Sequence, residues 1–217
     1  MHEVLPGIGS LEQDWSALEK KLDLVKPFAK AVHIDIIDGK FAHNTTFLDP
    51  EPFKKYSQDI FLELHMMVEE PESYLEKWAK AGFRRFIGHI EKMSDQTSFV
   101  AKAQEVGEVG LALDADSPPE AITVGLEDLD TVLVMTIKAG FSGQPFRLEL
   151  LSKVKKLSEK ALFPIEVDGG ITDQTIIDAV RMGATRFVAT SYLFKAEETP
   201  HEQYISLLKT ANESGKA

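Results

Sequence analysis

The chain has 217 residues, of which 43% are hydrophobic, so it has enough apolar sequence to bury a substantial core. Its formal net charge of −11 argues against non-specific binding to nucleic acids or acidic membranes, because both need a basic surface. The sequence contains no cysteine, which excludes disulfides, zinc–thiolate sites and cysteine nucleophiles.

Short apolar strands alternate with helical patterns along the whole chain. Eight stretches are rich in β-branched and other apolar residues and are therefore predicted to be strands, namely 3–9, 32–39, 60–67, 85–90, 109–115, 130–137, 163–167 and 186–190. Each is followed by a helix-start signal or by apolar residues at helical spacing. These helices are predicted to begin near Ser10, Asp49, Pro71, Ser94, Ser117, Leu148 and Thr172, with a last one around Tyr204.

Strict alternation of strands and helices predicts a parallel sheet, because parallel strands need crossover connections. Eight such units predict a single domain, residues 1–217, folded as a (β/α)8 TIM barrel. A doubly wound open sheet is the alternative. It would usually stop at about six strands, and its dinucleotide-binding form carries three glycines after the first strand. The corresponding segment here, Gly7-Ile8-Gly9-Ser10, lacks the third glycine.

Ionisable residues stand at the ends of three predicted strands. His33 and Asp35 are two residues apart on the second strand, so both side chains point to the same face. His65 ends the third strand and Asp168 ends the seventh. A barrel gathers the C-terminal ends of its strands at one mouth, where we expect these four side chains to converge. Two imidazoles and two carboxylates suit a divalent metal ion, and a metal-free polar pocket is the alternative.

Glycine-rich loops follow the last three strands. Such loops let backbone N–H groups approach a phosphate, and barrels often hold phosphate near their last two strands. The predicted phosphate grip comprises Gly140, Phe141, Ser142, Gly143, Gly169, Gly170, Thr190 and Ser191. Lys138 is near enough in sequence to contribute to it.

A metal beside a phosphate grip suits a small phosphorylated substrate. One of Asp35 and Asp168 could remove a proton next to a carbonyl and the other could return it on the opposite face. A metal that binds the carbonyl and the neighbouring hydroxyl would stabilise the enediolate, and the reaction would invert one carbinol centre. Met67 and Met135 would line the flat intermediate, although each is equally well explained as a core residue.

The chain resembles the ribulose-phosphate 3-epimerase family in five motifs that occur in the family's order and cover nearly the whole sequence. They are His33-Ile-Asp-Ile-Ile-Asp-Gly-x-Phe41, His65-Met-Met-Val68, Val132-Leu-Val-Met135, Gly140-Phe-Ser-Gly-Gln-x-Phe146 and Glu166-Val-Asp-Gly-Gly-Ile171. The resemblance implies a (β/α)8 fold and the interconversion of D-ribulose 5-phosphate and D-xylulose 5-phosphate in the pentose phosphate pathway.

The resemblance also implies the site residues and the cofactor. One divalent metal ion, with Zn²⁺ as the first candidate and Fe²⁺, Mn²⁺ or Co²⁺ as alternatives, would be bound by His33, Asp35, His65 and Asp168. Asp35 and Asp168 would be the acid/base pair. His65, Met67, Met135, position 7 and the phosphate grip would contact the substrate. Because family members form dimers and larger assemblies, a homo-oligomer is expected.

Several positions depart from the family pattern, and all lie in the pocket or at its rim. Gly7 stands where the family has serine, Ile37 replaces a methionine, and Thr190 replaces a glycine. Lys138-Ala139 replaces Asn-Pro, and residues 40–44 also differ. Because the predicted metal ligands are intact, this pattern favours retained proton-transfer chemistry with an altered substrate fit.

Three other functions are therefore considered. A ketohexose 6-phosphate 3-epimerase, of the allulose 6-phosphate type, would use the same chemistry. A non-catalytic sugar-phosphate-binding relative would bind without turnover, and a structural barrel with a relict site would bind no stoichiometric metal. Hexulose-phosphate synthases and orotidine-phosphate decarboxylases share the fold, but they need a lysine where Ile36 and Ile37 stand.

The expected partner is a small phosphorylated ketose, without nucleic acid or membrane. No basic segment followed by a long apolar run begins the sequence, and no stretch of roughly 20 apolar residues occurs. A cytoplasmic location is therefore expected.

Overall fold

Eight parallel strands close into a barrel in which each strand pairs with the next along the chain and β8 pairs with β1. The structure is a computed structural model and describes residues 2–141, 143–194 and 198–215. The strands are β1 Glu3–Ile8, β2 Ala31–Ile37, β3 Phe61–Met67, β4 Phe83–His89, β5 Glu108–Leu113, β6 Thr131–Met135, β7 Ile165–Asp168 and β8 Arg186–Ala189. The prediction of a (β/α)8 barrel is confirmed.

Seven α-helices surround the barrel within the described residues. They are α1 Trp15–Val25, α2 Leu75–Lys80, α3 Gln96–Gln104, α4 Leu151–Ser158, α5 Thr175–Arg181, α6 Ser191–Phe194 and α7 Pro200–Ser214. Across the described parts of the chain, none of the helices combines the length and the apolar character needed to cross a bilayer.

One predicted α-helix is absent from the connection between β5 and β6. The helix expected from Ser117 is replaced by two short 3-10 turns, Pro119–Ala121 and Leu126–Asp128. The residues between them, 122–125, are Ile-Thr-Val-Gly. Three β-branched residues and a glycine disfavour helix propagation, so the proline signal starts a turn that does not continue. The short helix predicted from Asp49, between β2 and β3, is present as a 3-10 helix, Glu51–Lys55.

The predicted start of α1 was wrong. Ser10 does not cap this helix; Asp14 does, and its carboxylate accepts a hydrogen bond from the backbone N–H of Ala17 at 2.9 Å. The helix therefore begins four residues later than predicted, and the loop after β1 is longer by the same number. This displacement leaves Ser10 at the mouth of the barrel.

Side-chain parity along the strands separates two apolar regions. On β2, Ile34 and Ile36 face outward into the large core between the strands and the helices. Ile37 faces the barrel interior, where it belongs to a smaller cluster with Met67 and Met135. His33 and Asp35 have the same parity as Ile37 and therefore also point inward. The alternation that buries the β2 isoleucines thus places the two ionisable groups inside the barrel.

Candidate active site

A cavity opens at the C-terminal ends of the strands. It is lined by Ser10, Asp35, Met67, Met135, Ile137, Gly140, Phe141, Gly143, Asp168, Gly169, Gly170, Ile171, Val188, Thr190 and Ser191. Most residues predicted to contact the substrate or its phosphate are in this set. Gly7 and His65 are not, because both are buried behind the cavity wall, and Ser142 lies outside the described residues.

Four ligand atoms, one each from His33, Asp35, His65 and Asp168, lie within 4.8 Å of one another. Asp35 is in register with His65 across β2 and β3, and His65 Nδ1 lies 2.8 Å from Asp35 Oδ1. His33 Nε2 lies 3.3 Å from the same oxygen and 4.0 Å from Asp168 Oδ2. This nitrogen is buried without a hydrogen-bond partner among the described residues. An unpaired nitrogen facing two carboxylates fits a divalent cation between the four groups.

Charged residues behind His33 orient its ring. His33 Nδ1 lies 2.5 Å from Glu63 Oε1 and 3.2 Å from Glu166 Oε1. Glu63 in turn accepts a hydrogen bond from Arg85 Nη1 at 2.5 Å. A proton on Nδ1 that is donated to Glu63 leaves the Nε2 lone pair directed at Asp35. Such carboxylate–histidine contacts are the usual support of a metal-binding imidazole.

His65 has a comparable support on its other side. Its Nε2 lies 2.9 Å from His89 Nε2, and His89 Nδ1 lies 2.9 Å from Glu91 Oε2. Burial opposes ionisation of Glu91, but the hydrogen bond from His89 holds its pKa below the usual range. An ionised Glu91 accepts the Nδ1 proton of His89, whose Nε2 then accepts a proton from His65 Nε2. In this tautomer the Nδ1 lone pair of His65 is free to bind a cation.

The hydrogen-bonded series Glu91–His89–His65 predicts that a substitution at Glu91, which lies outside the ligand set, weakens metal binding. In Glu91→Gln the His89 tautomer is no longer fixed by a charge, so we expect Zn²⁺ to bind about 10-fold more weakly. Competition with a chromophoric chelator measures this affinity. Glu69→Gln is the control, because Glu69 is an exposed carboxylate at the same rim whose ion pair, within the described residues, is with Lys40. Equal Zn²⁺ affinity in both variants would contradict the tautomer argument.

The two cavity carboxylates have pKa values shifted in opposite directions. Burial and the neighbouring negative charge of Asp35 raise the pKa of Asp168. Burial also opposes ionisation of Asp35, but hydrogen bonds from His33 and His65, which these rings can donate when the nitrogens facing Asp35 carry protons instead of a cation, hold its pKa below the usual range. Burial lowers the pKa of His65 to about 4, which keeps that ring neutral. A pair of acids with divergent pKa values is typical of an acid/base site.

Two polar residues near the mouth have structural roles. Asp38 accepts hydrogen bonds from the backbone N–H groups of Lys40 and Glu69, each at 2.8 Å, in agreement with its interpretation as a turn residue. Lys138 Nζ lies 2.5 Å from Asp114 Oδ2 and 3.0 Å from Asp116 Oδ2. Its charge is therefore engaged outside the cavity, and the expected contribution of Lys138 to the phosphate grip finds no support.

The sequence reasoning overlooked four residues that shape the site. Ser10 lines the cavity with a buried hydroxyl that has no partner among the described residues. Glu63, Arg85 and Glu166 form the charged layer behind His33. The two glutamates were detectable, since each stands two residues before a predicted metal ligand and shares its inward face.

Residues 4–194 match the family model described as the ribulose-phosphate 3 epimerase family. The chain belongs to this family. A ribulose-phosphate 3-epimerase of Schizosaccharomyces pombe is 35% identical over 209 residues, covering 93% of this chain and 90% of the relative. The cytoplasmic isoform of Oryza sativa subsp. japonica is 36% identical and covers 94% and 92%. The family consists of carbohydrate epimerases, which are isomerases, so the prediction of an isomerase is confirmed.

Solved structures outside the ribulose-phosphate 3-epimerase family share the fold. KGPDC from Streptococcus mutans superimposes with a TM-score of 0.71 at 12% identity, covering 98% of this chain and 99% of that chain. The 3-hexulose-6-phosphate synthase of Salmonella typhimurium has a TM-score of 0.70 at 15% identity, covering 99% and 100%. At this level of identity the likeness concerns the barrel alone.

Proposed function

We propose that this chain is a metal-dependent sugar-phosphate 3-epimerase that interconverts D-ribulose 5-phosphate and D-xylulose 5-phosphate, a reaction of the pentose phosphate pathway. The observation that carries the proposal is the pair of buried carboxylates, Asp35 and Asp168, at one cavity in a member of this family. They project from β2 and β7, which are three strands apart around the closed barrel. They therefore approach a bound ketose from different sides.

The residues present fit a divalent cation, with Zn²⁺ as the first candidate. His33 Nε2, His65 Nδ1, Asp35 and Asp168 would hold it, and the unpaired His33 nitrogen is the strongest support. When bound, the cation polarises the substrate carbonyl and acidifies the adjacent C–H. Several divalent ions accept this mixture of nitrogen and oxygen ligands, so Fe²⁺, Mn²⁺ and Co²⁺ remain in the proposal.

Proton transfer is assigned to the two aspartates. One carboxylate takes the proton from C3 of the ketose, which gives a planar enediolate, and the other donates a proton to the opposite face. The configuration at C3 is thereby inverted. Met67, Met135 and Ile137 line the cavity beside the carboxylates and would keep water from the enediolate.

The phosphate end is assigned to the loops after β6, β7 and β8. Gly169 has a φ of +112°, and a Cβ at this position would lie 2.6 Å from Ile137 Cγ1. Only glycine therefore allows this backbone to pass along the cavity wall, where its N–H groups can reach a phosphate oxygen. Gly170 and Ser191 line the same part of the cavity.

A substrate panel tests the proposal. Protein loaded with Zn²⁺, Fe²⁺, Mn²⁺ or Co²⁺ is incubated in D₂O with ketopentose and ketohexose phosphates, and NMR follows deuterium at C3. We expect deuterium incorporation and epimerisation with D-ribulose 5-phosphate. Exchange with hexulose phosphates alone would reassign the substrate to the ketohexose class. Binding of D-ribulose 5-phosphate by calorimetry without exchange would identify a non-catalytic relative. The homo-oligomer and the cytoplasmic location stay predictions.

A further inference from the structure

Gly7 and Thr190 compete for one space at the wall of the barrel. A Cβ added to Gly7 would lie 2.3 Å from Thr190 Oγ1 and 2.8 Å from Val188 Cγ1. Both distances are far inside van der Waals contact, so a side chain at position 7 and the present Thr190 rotamer exclude one another. The present packing of Thr190 therefore requires glycine at position 7.

The strand register explains why these two positions meet. Pro6 of β1 is paired with Ala189 of β8, so the next residue on each strand, Gly7 and Thr190, lies at the same level. Gly7 is buried and does not line the cavity, whereas Thr190 is half-buried and does. The part of the wall that a side chain at position 7 would form is therefore formed by Thr190.

We propose that Thr190 Oγ1 hydrogen-bonds an oxygen of the sugar chain and determines substrate fit. The inference rests on the proposed function and assigns a specificity residue within it. Thr190 thus places a hydroxyl at the part of the wall where Gly7 carries no side chain. Gly7 is in register with His33, so the Thr190 hydroxyl that approaches Gly7 lies at the level of the ionisable cluster on β2.

The hydroxyl itself is tested with two variants of Thr190. Thr190→Val keeps the shape and removes the hydrogen bond, so kcat/KM for the ketose phosphate is expected to fall about 10-fold. Thr190→Ser keeps the hydroxyl and should stay within about threefold. Inhibition by inorganic phosphate should be unchanged in both variants, because the proposal assigns phosphate to backbone N–H groups, which neither substitution at position 190 removes. Wild-type kcat/KM in Thr190→Val, or an equal loss of phosphate inhibition, would overturn the assignment.

A double-mutant cycle tests whether side chains at positions 7 and 190 compete for one space. Gly7→Ser alone overpacks the wall and is expected to lower both the thermal midpoint and kcat/KM. Combining it with Thr190→Gly removes the closer contact, that with Thr190 Oγ1, leaves the one with Val188 Cγ1 and supplies a hydroxyl from β1, so the double variant should be more stable and more active than Gly7→Ser alone. Additive losses would show that the positions do not share one space.

Failure of this inference is distinguishable from failure of the proposed function. If the wild-type protein exchanges no C3 proton with any ketose phosphate, the proposed function fails. If the wild type is active and Thr190→Val is equally active, only the role of Thr190 fails. Calorimetry with D-ribulose 5-phosphate gives a readout that does not depend on turnover, and Thr190→Val should bind it about 10-fold more weakly.

Discussion

Replacing Asp168 by asparagine is expected to lower the rate of epimerisation by about 10³-fold, and Asp35→Asn should have an effect of the same order. Asparagine keeps the shape of each side chain but can neither accept nor donate the C3 proton. Interconversion needs both carboxylates, so removal of either stops the inversion. The measurement is conversion of D-ribulose 5-phosphate to D-xylulose 5-phosphate, with the metal content of each variant determined in parallel.

The single variants carry a further signature when metal remains bound. A remaining aspartate can still remove a proton from the face that it serves and return a deuteron to the same face. Each variant should therefore exchange deuterium at C3 of one epimer only, and Asp35→Asn and Asp168→Asn should act on opposite epimers. Exchange of the same epimer by both variants would refute the assignment of one aspartate to each face.

Asp38→Asn is the matched control for these variants. Asp38 belongs to the same segment as Asp35, but its carboxylate accepts backbone hydrogen bonds in the turn after β2. Epimerisation should stay within a few-fold of wild type. A loss of epimerisation comparable to that of Asp35→Asn would mean that removing any carboxylate from this segment lowers activity. The variant Asp35→Asn would then no longer support proton transfer by Asp35.

The barrel was predictable because the strand signals are repeated eight times and each is strong. Individual connections were not, since their signals are short and their outcome depends on the neighbouring residues. The prolines after Ser117 start a turn, but residues 122–125 decide whether that turn continues as a helix. Likewise, Ser10 and Asp14 both suit an N-cap, and only the path of the loop after β1 decides between them.

The cluster of four possible metal ligands was predictable from parity and position alone. His33 and Asp35 share a face of β2, and the end positions of His65 and Asp168 bring them to the same mouth; the structure places all four within 4.8 Å. The relation between Gly7 and Thr190 could not be predicted, because it depends on a closed barrel that brings the first and last strands together.

The spacing of Glu63 and Glu166 from His65 and Asp168 indicated their inward face, but not the group that compensates them, and glutamates inside an apolar barrel are costly unless a cation does so. Arg85 supplies that cation. Its guanidinium donates to Glu63 and to Glu108, and its side chain is 5% exposed. Glu63 and Glu166 are fully buried, and the charge of Glu63 adds to burial in raising the pKa of Glu166. His33 Nδ1 contacts both glutamates, and the guanidinium of Arg85 is the permanent positive charge of the layer.

Removing that group is expected to destabilise the fold strongly. Arg85→Leu leaves Glu63 buried beside Glu166 without its guanidinium partner, and breaking such a pair costs about 3–5 kcal/mol. For a chain of this length the thermal midpoint should fall by about 10 °C. Thermal unfolding followed by circular dichroism measures the change, and Zn²⁺ affinity should fall as well, because Glu63 orients His33.

The adjacent arginine provides the control for this variant. Arg84 also lies over the ring of Phe61, at 4.7 Å against 4.8 Å for Arg85, but its side chain is exposed. Arg84→Leu should therefore cost less than about 1 kcal/mol, as surface charges usually do. Arg85→Lys should fall between the two, because an ammonium keeps the charge but cannot bridge Glu63 and Glu108 as the guanidinium does. Equal losses in Arg84→Leu and Arg85→Leu would mean that the layer needs no cation, and that packing on Phe61 accounts for the stabilisation.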